Sequence, residues 1–147
     1  GRSSGGLTVL CALIQYPDVF CAASSSYGIS DLKSLAQHTH KYELHYATTL
    51  MGGTYEDLPG VYKARSALYH ADKIRTPLLL LQGDQDRVVA RDQSRHMARA
   101  IENRAGKVKY IEFPSEGHGF RRSDTRKRAL EEEFAWCNDA AHIPEIC

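Results

Sequence analysis

The chain has 147 residues, of which 42% are apolar and 25% are charged, and its formal net charge is +1. This length suffices for one domain with a buried core, and the composition is that of a globular domain. So small a net charge gives no field that would attract nucleic acid or an acidic membrane surface. No apolar run reaches the ~20 residues that a transmembrane helix needs. These properties exclude nucleic acid and membranes from the expected partners.

The four cysteines form neither a C-x-x-C pair nor a zinc-type spacing; they are Cys11, Cys21, Cys137 and Cys147. We therefore predict no metal and no cofactor. Cys11 and Cys21 stand in apolar stretches and are expected to be buried small hydrophobic residues. This cysteine usage slightly favours a reducing compartment, and hence the cytoplasm.

The first half of the chain contains two predicted regular elements and one irregular region. Residues 7–16 are apolar almost all round, which predicts a buried helix that ends before Pro17. Residues 19–26 (VFCAASSS) predict a short strand. Residues 31–73 are rich in His and Tyr and have no β pattern, so we expect short helices and loops there.

The second half alternates strands with helices. The apolar run PLLLLQG at residues 77–83 predicts a strand covered on both faces, as in a parallel sheet. Residues 92–102 have apolar side chains at helical spacing, and VKYIEF at residues 108–113 alternates like a strand. Residues 124–139 predict a helix whose apolar face would carry four residues: Ala129, Leu130, Phe134 and Cys137.

This order predicts an α/β fold in which helices cover both faces of a mostly parallel sheet. Three strands leave an unpaired sheet edge, so we expect further strands upstream. In such sheets the functional groups lie on loops just past the carboxyl ends of the strands. Those loops are where candidate residues are sought.

The first candidate is GRSSGG, in which residues 1–5 match G-x-S-x-G with Ser3 at the centre. In this motif a sharp turn into a helix exposes the serine hydroxyl above the sheet. A predicted helix follows at once, as the motif requires. Taken alone, the pattern is also typical of a flexible Gly/Ser terminus.

The second and third candidates follow the two later strands. Asp84 and Asp86 come directly after the apolar strand, where a carboxylate can orient a histidine; capping of the next helix is the alternative. His118 lies between two glycines after the last strand, where an exposed loop histidine is the alternative. Jointly the three loops place Ser, Asp and His in the chain order of α/β-hydrolases, which favours the functional interpretation.

With these motifs in place, the chain resembles the catalytic domain of the prolyl oligopeptidase family of serine peptidases. The similarity rests on GRSSGG, on TPLLLLQGDQDRVV at residues 76–89 and on PSEGHGF at residues 114–120. It is closest to the acylaminoacyl-peptidase and dipeptidyl-peptidase branch. The resemblance implies that residues 1–147 are the C-terminal part of an α/β-hydrolase domain.

The resemblance also implies residue roles. Ser3 matches the nucleophile and His118 the general base. Asp86, three residues after the strand-ending glycine, matches the acid, with Asp84 as the alternative. Ser4 would offer its backbone N–H to the oxyanion.

Substrate contacts follow less directly. Several members of the family have a polar side chain two residues after the acid, whereas this chain has Val88 there, with Arg87 beside it. We assign substrate contact to Arg87, and to Tyr27 as a pocket wall. The departure at Val88 bears on peptide recognition and leaves acyl transfer untouched.

Three functions remain open at this point: a serine peptidase acting on short peptides, a carboxylesterase-like hydrolase acting on small esters, and a catalytically silent fragment. The resemblance implies that an upstream part of the same chain, in many members a β-propeller, contacts this region. The oligomeric state stays open, with a homo-oligomer among the alternatives.

Overall fold

A computed structural model describes residues 1–38 and 48–141 of the chain. Their sequence predicts alternating helices and strands, and the structure contains them in the following order. The elements are α1 (Ser4–Gln15), β1 (Ala23–Ser26), α2 (Leu32–His38), α3 (Pro59–Arg65), a 3-10 helix (Ala67–Lys73), β2 (Leu78–Gly83), α4 (Asp92–Glu102), β3 (Val108–Phe113) and α5 (Ser123–Ala141).

The three strands form one parallel sheet in the order β1-β2-β3. The chain before α1 also joins this sheet, because Arg2 forms a parallel bridge with Ser26 of β1. The backbone N–H of Ser26 donates to the Gly1 carbonyl oxygen at 2.9 Å. Extended chain thus lies along β1 on the side opposite β2 and leads directly into α1.

The core forms on both faces of β2, whose six residues are all buried. On one face, Leu78 and Leu80 pack with side chains of α1 and α4. On the other face, Leu79 and Leu81 pack with β3 and with Ala129 of α5. Alternate side chains of a strand face opposite sides of a sheet, so a continuous leucine run requires cover on both sides. The predicted doubly covered strand is confirmed.

Two expectations about burial are wrong. Cys21 is exposed because residues 19–22 precede β1 instead of lying within it. Cys11 is only half-buried because it lies beside the buried stripe of α1. In α1, which begins at Ser4, only Gly6, Leu10 and Leu13 are buried. The helix therefore packs on the sheet along one stripe and is not enclosed.

The predicted apolar face of α5 is right for Ala129, which is buried, and wrong for its other three residues. Leu130 and Phe134 are 59% and 70% exposed, and Cys137 is exposed too. The stripe that faces the sheet contains Ala129 and Trp136, which contact the core side chains of β2 and β3. Apolar residues occur on both faces of this helix, so composition alone misplaces its packing face by about one residue.

Candidate active site

Ser3 occupies a sharp turn between the extended N-terminal stretch and α1. Its backbone has φ 52° and ψ −121°, a conformation that residues with a Cβ adopt only at a cost. Backbone hydrogen bonds hold the turn. In the two shortest ones at Ser3, its N–H donates to the Ser26 carbonyl at 3.1 Å, and its carbonyl accepts from Gly6 N–H at 2.9 Å. A Cβ on Gly1 would lie 2.3 Å from the Gly5 carbonyl oxygen, so the turn requires glycine at its first position.

Asp86 lies in the loop after β2, and its side chain is fully buried. Oδ1 accepts hydrogen bonds from the backbone N–H groups of Val88 at 2.9 Å and Val89 at 2.8 Å. Oδ2 accepts one from the Gln82 side-chain amide at 3.1 Å. The loop therefore fixes the orientation of the carboxylate, with Oδ2 directed towards the neighbouring loop.

That neighbouring loop follows β3 and carries His118. Ser115 has a positive φ of 60°, which turns the chain sharply at the start of the loop. Glu116 is almost fully buried, and its carboxylate accepts the backbone N–H groups of Arg121 at 2.8 Å and Arg122 at 3.0 Å. The histidine thus lies within a loop whose two ends are joined through one carboxylate.

The loop after β2, which carries Asp86 (the acid loop), is in direct contact with the loop after β3, which carries His118 (the histidine loop). The backbone N–H of Gln85 donates to the Glu116 carbonyl oxygen at 2.9 Å. A Cβ on Gly83 would lie 2.3 Å from the same oxygen. Only glycine at position 83 allows the two loops to approach this closely.

The three loops bring Ser3, Asp86 and His118 together. His118 Nδ1 lies 2.9 Å from Asp86 Oδ2, and His118 Nε2 lies 2.9 Å from Ser3 Oγ. An ionised carboxylate can only accept hydrogen bonds, so Nδ1 carries the proton and Nε2 of the neutral ring is free to accept from the Ser3 hydroxyl. These atoms form one continuous chain of hydrogen bonds.

The carboxylate is held in its charged form. Burial raises the pKa of Asp86, but hydrogen bonds from His118 and from the backbone N–H groups of Val89 and Val88 outweigh burial, so the pKa lies below its ordinary value. A buried carboxylate that is ionised near neutral pH can stabilise positive charge on the adjacent imidazole.

Asp84, the alternative acid, takes no part in the series of hydrogen bonds that joins Asp86, His118 and Ser3. Its backbone N–H donates to the Phe113 carbonyl at 3.1 Å, and its Oδ1 is buried without a hydrogen-bond partner among the described residues. Of the two aspartates, it is thus Asp86 that bonds to His118, and its role as the acid stays a prediction.

Tyr27 directly follows β1 and contacts the histidine. Its ring meets that of His118 edge-on at a centroid distance of 4.9 Å and that of Phe120 at 5.2 Å. The residue is nearly buried and lines a cavity of about 160 Å³ together with Arg2 and Arg126. Its assignment as a wall of the substrate pocket stays a prediction.

Ser4 and Arg87 flank the hydrogen-bonded chain. Ser4 is the first residue of α1, so its backbone N–H is among the four at a helix start that have no intrahelical acceptor. Arg87 follows Asp86 and its side chain is exposed. The roles of both residues in binding the oxyanion and the substrate stay predictions.

Sequence reasoning missed Gln82 and Glu116, whose hydrogen bonds hold the Asp86 carboxylate and the loop of His118. Gln82 has no exposed surface, and it is the one polar side chain in the run LLLLQG. A lone amide in a strand that is otherwise leucine was the available signal, because buried polar groups require hydrogen-bond partners. Glu116 offered a weaker one, as a charge between two small residues.

No cluster of three or more His, Cys, Asp or Glu side chains in residues 1–38 and 48–141 could hold a metal ion. In the same part of the chain, no helix is both long enough and apolar enough to span a membrane.

Comparison with known proteins relates the chain to serine peptidases. The sequence model of the prolyl oligopeptidase family matches residues 1–143. Dipeptidyl aminopeptidase BIII from Pseudoxanthomonas mexicana is 34% identical over 140 residues, which cover 91% of this chain and 20% of that protein. Esterase LipQ from Mycobacterium tuberculosis is 32% identical over 101 residues, 67% of this chain and 24% of that protein. The chain spans about a fifth of the length of the curated relatives it matches.

The fold also matches a solved structure. A puromycin-hydrolyzing peptidase from Mycobacterium tuberculosis superimposes with a TM-score of 0.87 at 43% identity, covering 95% of this chain and 21% of that one. The predicted α/β-hydrolase fold is confirmed by this match and by the parallel sheet with its flanking helices.

Proposed function

We propose that this chain, which belongs to the prolyl oligopeptidase family, carries the catalytic triad of a serine peptidase that cleaves short peptides through an acyl-enzyme. The hydrogen-bond chain from Asp86 through His118 to Ser3, with both contacts at 2.9 Å, is the observation that supports this most strongly. A general base must lie within hydrogen-bond distance of the oxygen whose proton it removes, and a carboxylate must orient its ring.

In the acylation step, Ser3 Oγ attacks the carbonyl carbon of the substrate while its proton moves to His118 Nε2. The new C–O bond gives a tetrahedral intermediate. His118 then passes the proton to the leaving amine nitrogen, so that the C–N bond breaks and an ester to Ser3 remains. Asp86, ionised and hydrogen-bonded to Nδ1, stabilises the imidazolium between these transfers.

In the second step, a water molecule takes the place of the amine. His118 removes its proton as the water oxygen attacks the ester carbonyl, and then passes this proton to Ser3 Oγ as the C–O bond to Ser3 breaks, which releases a carboxylic acid and restores the serine hydroxyl. In both steps the negative oxygen of the intermediate would accept a hydrogen bond from the Ser4 N–H. The start of α1 favours this charge, because the helix dipole is positive there. Loss of one such donor typically costs ~10²–10³ in rate.

A carboxylesterase-like activity is the second candidate. It is favoured by the 32% identity to Esterase LipQ and by Val88, which stands where several peptidases have a polar side chain. Both reactions pass through the same kind of acyl-enzyme, so the triad itself does not discriminate between them. Only the substrate preference of the whole protein does.

A fluorophosphonate probe tests the proposed nucleophile in the full-length protein. We expect covalent labelling of the wild type and none of Ser3→Ala, while the exposed Ser123→Ala labels like the wild type. Labelling that survives Ser3→Ala would reject Ser3, and a folded wild type that does not label would indicate a silent protein. Turnover of peptide anilides supports the peptidase, whereas turnover of short acyl esters alone supports the esterase.

A further inference from the structure

We infer that Gln82 is a positioning residue for the acid: it holds Asp86 in the orientation in which Oδ2 faces His118. This inference rests on the proposed function. Gln82 lies at the end of β2 and has no exposed surface. Among the described residues, its side chain hydrogen-bonds to Asp86, Gly83, Val89 and Ser94 and to neither His118 nor Ser3. Any effect of Gln82 on the nucleophile must therefore pass through Asp86.

The amide of Gln82 faces three acceptors. Its Nε2 lies 3.1 Å from Asp86 Oδ2, 3.3 Å from the Gly83 carbonyl and 3.3 Å from the Val89 carbonyl. One carbonyl belongs to Gly83, the last residue of β2, and the other to Val89, three residues beyond Asp86. One buried amide therefore ties the strand end, the carboxylate and the backbone beyond it to one another.

The orientation of this amide follows from its surroundings. Its Oε1 accepts the hydroxyl of Ser94 in α4 at 2.8 Å, and Ser94 is itself buried. A flipped amide would turn its oxygen towards three acceptors, which cannot donate to it. The hydrogen-bond network therefore fixes Nε2 on the side of Asp86.

Gln82 also completes the set of donors around the carboxylate. Oδ1 receives two backbone N–H groups, and Oδ2 receives His118 and Gln82. Four donors match the roughly four lone-pair sites of a carboxylate. Without the Gln82 amide, Oδ2 would accept a hydrogen bond from His118 only, so its negative charge would act more strongly on that ring. The loop would also lose the hydrogen bond from Gln82 to the Val89 carbonyl.

The test is the pH dependence of fluorophosphonate labelling in the full-length protein. Gln82→Met keeps the volume and removes both amide hydrogens. We expect its maximal labelling rate to fall about tenfold, and the midpoint of its pH–rate curve to move upwards by roughly half a unit, because Oδ2 then stabilises the protonated imidazole more strongly. Ser94→Ala, which only loosens the amide, is expected to change both quantities in the same direction by less.

Thr76→Val is the matched control. Thr76 is buried just before β2, at the other end of the strand, where its hydroxyl bonds to the Pro17 carbonyl at 3.3 Å. Its loss lowers stability without reaching Asp86, so the pH midpoint should stay at the wild-type value.

An unchanged midpoint in Gln82→Met would overturn the inference, and so would an equal shift in Thr76→Val. If Gln82→Met fails to fold, an unshifted midpoint in Ser94→Ala overturns it. A wild type that does not label rejects the proposed function and this inference together. Normal labelling that depends on Ser3 but ignores Gln82 and Ser94 rejects this inference alone.

Discussion

Replacing Asp86 with asparagine tests how the histidine is oriented, because the structure dictates which way the new amide must face. The backbone N–H groups of Val88 and Val89 donate to Oδ1 at 2.9 and 2.8 Å. In Asp86→Asn the amide oxygen must stay at that position to accept them. The NH₂ group then takes the place of Oδ2, 2.9 Å from His118 Nδ1.

This arrangement reverses the tautomer of the ring. Nδ1 then accepts a hydrogen bond from the asparagine NH₂, so the ring proton moves to Nε2. Because Nε2 now carries a proton, it cannot accept the proton of the Ser3 hydroxyl. An Asp→Asn change of this kind lowers kcat about 10⁴-fold in serine proteases, which corresponds to ~5 kcal/mol of activation free energy. The new NH₂ also faces the Gln82 amide donor, which should lower the free energy of unfolding by ~1–3 kcal/mol.

The assay is the second-order rate of fluorophosphonate labelling at neutral pH, together with unfolding in urea to confirm that the variant is folded. We expect Asp86→Asn to label 10³–10⁴-fold more slowly than the wild type, and Asp84→Asn to label within a few-fold of it. A folded Asp86→Asn that labels within tenfold of the wild type would refute this account of the tautomer. The same loss in Asp84→Asn would show that the acid has been misassigned.

Three further substitutions test the loops and their buried charge. Gly1→Ala should abolish labelling, because its Cβ would lie 2.3 Å from the Gly5 carbonyl oxygen, whereas Gly5→Ala, whose Cβ meets no atom within 4 Å, should label normally; equal rates would contradict this. Gly83→Ala should reduce both labelling and thermal stability, because its Cβ would push the acid loop away from Glu116; an unchanged rate would show that the loops can separate harmlessly. Burial raises the pKa of Glu116, but its hydrogen bonds lower it further, to below its ordinary value. Its charged form therefore stabilises the fold above pH ~4.3, and this contribution is lost as the pH falls through the folded-state pKa. Thermal unfolding between pH 3 and 7 should accordingly depend less on pH in Glu116→Gln than in the exposed control Glu102→Gln, and parallel curves would contradict this.

The elements that position the site were predictable because their signals are local. The continuous leucine run of β2 identifies a buried strand and the alternation in β3 a partly buried one. The strand-end rule then directs attention to the loops that carry Asp86 and His118. The turn at Ser3 was predictable from glycine spacing. The residue pattern alone does not choose between Asp84 and Asp86, since both follow the strand, and the preference for Asp86 comes from the family resemblance. In the folded loop, backbone N–H groups bond to the side chain of Asp86.

The misplaced residues depend on packing between distant segments. Leu130 and Phe134 are apolar at helical spacing, yet the orientation of α5 is set by Ala129 and Trp136 against β2 and β3. Cys21 lies in an apolar stretch whose exposure depends on where β1 begins. No pattern within a single segment contains such information.

At Ser3, stability and chemistry favour different amino acids. Glycine adopts a φ of 52° without steric penalty. Although both variants lack the hydroxyl, the free energy of unfolding of Ser3→Gly should therefore exceed that of Ser3→Ala by ~1 kcal/mol, which raises its unfolding temperature. A protein of this fold that did not need that hydroxyl would therefore gain stability from glycine at this position. Under the proposed function, the requirement for a nucleophile keeps serine where folding alone favours glycine.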